Sequence, residues 1–137
     1  MDKPEQIILN RIQCKSCNET LTSYHRHDYK KCSCDNETMI DGGTAYQHYG
    51  GKNLDLVDKS LTVFLSEDHS VNSHTAHWGN RGKDGRSSLS YKSVAEMSND
   101  HLINIIKDMS GKIEPWMEQI ITKELEYRDI NNIIIPD

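Results

Sequence analysis

All four cysteines of this chain fall within twenty-one positions, CKSCNETLTSYHRHDYKKCSC, residues 14–34. They come as two close pairs, Cys14 and Cys17 in a CxxC and Cys32 and Cys34 in a CxC, with fourteen residues between the pairs. In an oxidising compartment such a pattern would be a disulfide framework, whereas in a reducing one it reads as a metal site. The N-terminus MDKPEQ lacks the charged-then-apolar order of a signal peptide, and no apolar run of about 18 residues offers to span a bilayer. The expectation is therefore a cytoplasmic protein, without a membrane partner, in which Cys14, Cys17, Cys32 and Cys34 hold a structural Zn²⁺. Soft thiolates suit zinc, and a filled four-sulfur shell leaves no position for a reactive water.

A CxC is the less usual pair for one tetrahedral ion, because both sulfurs start on one side of an extended chain. His25 or His27 is then the alternative fourth ligand. Four thiolates around Zn²⁺ carry net negative charge, which Lys15, Arg26, Lys30 and Lys31 are placed to offset. A metal also answers a problem of composition: only 35% of residues are hydrophobic and there is a single Phe, so the core must be small.

At 137 residues, one compact domain spanning 1–137 is the expectation. Its class is α+β: a zinc-stapled antiparallel, zinc-ribbon-like region over 6–65, a Gly/Ser-rich loop over 66–90, and a region of two amphipathic helices over 91–137. QIILNRIQC (6–14) is β-branched and suits a strand into the first cysteine pair. LTSYHRHDYKKC suits a hairpin between the pairs, Asp41-Gly42-Gly43 a turn, and Thr44 to Tyr49 the return strand. Another strand is expected within LDLVDKSLTVFLS. Ser98 caps a helix from Asn99 to Met109, stopped by Gly111, and Pro115 opens a second one ending near Arg128. Their shared face is Leu102, Ile106, Ile120, Ile121 and Leu125. The tail NNIIIPD docks as an edge strand or stays a sticky terminus.

Three further constellations bear on function. His25, His27, Asp28 and Asp41 offer imidazoles and carboxylates either to a second, hydrolytic metal or as hydrogen-bond partners beside the zinc site. WGNRGKDGR (78–86) interleaves glycines with Arg81, Lys83 and Arg86 behind Trp78, a composition that suits contact with a partner protein, a nucleic acid or a nucleotide. It lacks the order of a P-loop. The C-terminal segment 87–137 holds five Lys/Arg against nine Asp/Glu, with Glu114, Glu118, Glu124, Glu126 and Asp129 read as a solvated acidic face. Such a balance excludes a generic nucleic-acid coat, which needs clustered cations.

The order CxxC, HRHDY, CxC, DGGxxY, WGxxGKDG, SVAEMSNDHLINII and ELEYR resembles a family of small uncharacterised four-cysteine, zinc-ribbon-like proteins of bacteriophage and bacterial genomes. Some members carry glycine after the second cysteine pair, where this chain has Asp35. The resemblance implies a fold and a phage context, hence the host cytoplasm, and no mechanism. With no nucleophile beside a base in view, the expected function is non-enzymatic: a zinc-stabilised module that binds a host or phage protein, in takeover or in anti-defence. The alternatives are nucleic-acid or nucleotide binding through 78–86 and a metal-dependent phosphodiesterase or nuclease at His25, His27 and Asp28.

Overall fold

The computed structural model describes residues 5–80 and 88–137. They fall into two compact units that divide between Leu65 and Ser66.

In the N-terminal unit the central strand is β1 (Ile7–Cys14). Its residues Ile7, Ile8, Leu9 and Asn10 are all buried, and other strands pair along both of its edges. On one edge β2 (Thr20–Ser23) pairs antiparallel, Asn10 opposite Ser23 and Gln13 opposite Thr20. A second sheet follows, made of β3 (Lys30–Lys31), β4 (Met39–Asp41) and β5 (His48–Gly50). The other edge of β1 takes β6 (Val57–Asp58) beside Cys14 and β7 (Val63–Phe64) beside Ile7 and Leu9.

Two expectations are corrected here. The segment between the cysteine pairs is no hairpin: β2 returns along β1 and β3 pairs with β4, so the segment links two hairpins. The return strand is His48–Gly50, because Gly42 and Gly43, with φ of +112° and +55°, open a wider turn.

The C-terminal unit begins with α1 (His69–Thr75), then β8 (His77–Asn80) paired with β9 (Ser90–Ser93), then α2 (Asn99–Met109) and α3 (Pro115–Asn131). A loop over 66–90 is thus corrected to a helix and a hairpin strand within its described part. Polar bonds build that helix. Asp68 accepts from the Ser70 amide at 2.9 Å, while Asn72 accepts from the Ser66 amide at 2.9 Å and donates to the Ser66 carbonyl at 2.8 Å. Because these contacts use no apolar periodicity, hydrophobic patterning does not reveal them.

α2 has the expected bounds and cap, Ser98 accepting from the His101 amide at 3.1 Å. α3 runs one turn further than expected, to a left-handed Asn132. Ala76, Val94, Met97, Leu102, Ile105, Met117, Ile120 and Ile121 form the core of this unit, with Ile106 and Leu125 only partly buried against it. The tail does not extend a sheet. It lies along Asn99, whose amide donates to the Ile135 carbonyl at 3.0 Å and whose side chain accepts from the Ile135 amide at 2.9 Å. Among the described residues no helix is long and apolar enough to cross a membrane.

Candidate metal centre

Each cysteine pair sits at the tip of one hairpin. Cys14 closes β1, where its amide donates to the Glu19 carbonyl at 3.0 Å and its carbonyl accepts from the Asn18 amide at 2.7 Å. Asn18 takes the left-handed conformation, φ +63°, that lets the chain double back. In the second hairpin the Cys32 amide donates to the Thr38 carbonyl at 2.9 Å, and the Cys34 carbonyl accepts from the Glu37 amide at 3.0 Å. The left-handed residue there is Glu37, φ +50°, two places beyond Asp35. Glu37 holds this turn from outside, with Lys31 at 3.3 Å and Lys52 at 3.6 Å. Asn36 holds it from inside: its side chain donates to the Thr38 hydroxyl at 2.8 Å and accepts from the Asn53 amide at 2.8 Å.

The two tips bring all four sulfurs together. Cys14 Sγ and Cys32 Sγ each lie 3.5 Å from Cys34 Sγ, and every pair among the four is within 4.8 Å. An ion bound at about 2.3 Å to four tetrahedral sulfurs separates them by about 3.8 Å. The cluster therefore has the dimensions of such a shell, and the turn in the CxC supplies what its spacing leaves open. All four thiols are unbridged. Cys14 and Cys32 are buried with Ile12, Leu21, Ile40 and Val57 as the core of this unit, Cys34 is half-buried and Cys17 exposed.

Electrostatics points the same way. Burial alone would raise the Cys14 thiol, yet bonds from the Thr38 side chain, the Cys17 backbone, the Cys34 thiol and the Ser16 backbone bring it down to about 6. At Cys17 a backbone bond at Glu19 favours the thiolate, but lost hydration and the sulfurs of Cys14, Cys34 and Cys32 push it up to about 12. Like charges this close cannot all ionise by themselves. A cation in their midst removes that conflict.

The other sequence candidates lie apart from this arrangement. His25, Arg26 and His27 form an exposed turn after β2, with His27 at φ +67°. Asp28 organises that turn, accepting from the Tyr24 amide at 2.9 Å and from Lys30 Nζ at 2.7 Å. Burial opposes its ionisation, and the bonds from Lys30 and Tyr24 outweigh that and lower it below the ordinary carboxylate value. Lys30 and Lys31 are thus engaged by Asp28 and Glu37. Asp41 lies on β4 opposite His48, its Oδ1 buried without a hydrogen-bond partner. Gly43 packs on the backbone of His25, so close that a Cβ would meet the His25 carbonyl carbon at 2.4 Å. Among the described residues the four cysteines are the group of His, Cys, Asp and Glu whose ligand atoms converge, and His25, His27, Asp28 and Asp41 are not part of it.

Trp78 lies on β8 opposite Lys92, half-buried and packed against the core of its unit. Arg81, Lys83 and Arg86 lie outside the described residues. Glu124, expected on a solvated face, is buried in contact with His69 and Arg128.

Residues 6–51, about a third of the chain, match the family described as a domain of unknown function, DUF7695. The matched stretch holds all four cysteines. Neither a curated protein nor a solved structure matches the chain.

Proposed function

We propose that this chain is a non-enzymatic binding module built around a structural zinc site, with Cys14, Cys17, Cys32 and Cys34 as the four ligands of one Zn²⁺. The observation that carries this reading is the convergence of four sulfurs within 4.8 Å at the tips of two hairpins. When bound, the ion supplies a crosslink and cancels thiolate charge; a sulfur-filled shell keeps no open position for chemistry. The module's partner is a protein of the host or of a phage, met in the host cytoplasm during takeover or defence blocking, a context that rests on the motif resemblance.

The partner contact is centred on Trp78, Arg81, Lys83 and Arg86. The residue types support this, since Trp and Arg most often dominate binding energy. Metal analysis of the purified chain tests the site, with about one zinc per chain expected. Because Trp78 also packs against the core of its unit, combined replacement of Arg81, Lys83 and Arg86 alone by Ala tests the contact: zinc content and helical signal stay and partner affinity falls. A steep loss of affinity with salt, removed by Arg81→Ala, would assign a nucleic acid as the partner instead.

A further inference from the structure

We infer that Cys17 is a modification site: the sulfur through which a hydroperoxide oxidises the cluster, captured by Cys34 as a disulfide joining the two hairpin tips. The inference rests on the four-cysteine metal reading above. Its ground is the unequal shielding of four sulfurs that are otherwise neighbours. Cys14 and Cys32 are 0% and 1% exposed, and their amides are tied across the hairpins to the Glu19 and Thr38 carbonyls, whereas Cys34 is held through its carbonyl by the Glu37 amide within its own turn. Cys17 is exposed and Cys34 half-buried, and both lie in turns outside the strands. An oxidant arriving from solvent meets Cys17 first, and the next sulfur with room to move is Cys34. Their sulfurs lie within 4.8 Å, so local rotation of two turn residues brings them to a bond of about 2.05 Å.

The chemistry balances with the peroxide alone as oxidant. The Cys17 thiolate attacks the O–O bond, keeps one oxygen as a sulfenic acid and releases the other as hydroxide or alkoxide. The Cys34 thiolate then attacks the Cys17 sulfur. An S–S bond forms, the S–O bond breaks, and hydroxide leaves to be protonated by a buffer acid in solvent. Two electrons have passed from the two sulfurs to the peroxide, and the cluster keeps only two of its four ligands, too few to retain zinc.

The test treats the zinc-loaded full chain with hydrogen peroxide below one equivalent. Non-reducing peptide mapping follows the sulfurs while a chromogenic chelator reads released zinc. The expected result is a Cys17–Cys34 linked peptide rising in step with about one zinc released per disulfide. A dominant Cys14–Cys32 link, or zinc release with Cys17 unmodified, overturns the inference. Cys17→His keeps a fourth ligand without a thiol and is expected to release zinc about tenfold more slowly; an unchanged rate also overturns it. Should that variant hold no zinc, the mapping of the unmodified sequence decides alone. A chain that takes up no zinc before oxidant is added refutes the metal reading, whereas a loaded chain oxidised elsewhere refutes only this one.

Discussion

Glu124 and Arg128, one turn apart on α3, form an ion pair at 2.8 Å with side chains only 7% and 1% exposed. Three further guanidinium hydrogen bonds go to the Asn99 side chain at 2.9 Å and to the carbonyls of Val94 and Ala95 at 3.2 Å, while His69 Nε2 meets the other carboxylate oxygen at 2.9 Å. One buried cation thus ties α3 to the start of α2 and the turn before it. Glu124→Leu strands that cation and is expected to cost about 3–5 kcal/mol. Adding Arg128→Met removes the stranded charge and should recover part of the loss. Urea unfolding followed by the helical signal checks this; a double variant no more stable than the single one would show that charge pairing is not what holds α3.

Chelation of the metal should act on one unit only. The cysteine cluster supplies part of the core of the N-terminal unit, whereas α1, α2 and α3 surround a core drawn entirely from residues 76–125. Cys32→Ser, or an excess of a strong zinc chelator, is expected to unfold residues 6–65, because ligand free energy at such a site is folding free energy. The helical circular dichroism should persist. Two-dimensional NMR of the treated protein reads both outcomes, and dispersed signals from β1 and β2 without metal would refute the dependence.

Proton release on zinc binding should report the state of the metal-free cysteine region. Unfolded, as expected on chelation, its four thiols are protonated at pH 5 and pH 7 alike, so about four protons should leave per zinc at both. Were the two tips to stay folded without metal, Cys14, lowered to about 6 from 9.0, would already be ionised at pH 7 while Cys17, raised to about 12, would not. The count would then fall by about one between pH 5 and pH 7. Calorimetry in buffers of differing ionisation enthalpy measures the count.

How far the sequence discloses all this depends on the kind of contact. The cysteine spacing and the helix caps at Ser98 and Pro115 are local signals, and the structure has two hairpin tips, α2 and the start of α3 where they point. The segment between the cysteine pairs forms no hairpin of its own because each end pairs outward, β2 with β1 and β3 with β4 across the turns that hold the cysteines, and its own alternation does not report that choice. Glu124 shows the same limit. Its spacing to Arg128 is visible in the sequence, but an exposed and a buried pair look alike until Val94, Ala95, Asn99 and His69 close around it.

Helix α2 tests how finely a face can be read. Leu102 leaves both Ile105 and Ile106 on the same side at three and four residues, and periodicity alone favours neither. Ile105 is 4% exposed while Ile106 is only partly buried. Ile105→Ala is expected to cost about 2–5 kcal/mol and Ile106→Ala clearly less. Equal losses in chemical denaturation would show that the two share the core.

Asn10 is the polar residue in the buried run of β1, and it is 1% exposed. Its amide nitrogen donates to the carbonyls of Gly43 at 2.9 Å, Tyr46 at 3.1 Å and Asp41 at 3.3 Å, and its oxygen accepts from Gln47 at 3.0 Å. It therefore pins the turn between β4 and β5 to the central strand. Asn10→Asp keeps the shape but replaces the only donor by a carboxylate facing three carbonyls. At pH 7 that change is expected to cost about 3 kcal/mol or more, exceeding Asn10→Ala, which leaves unpaired carbonyls but introduces no charge. Denaturation of the zinc-loaded variants measures the difference. If Asn10→Asp is the milder of the two, the turn is held by something other than this amide.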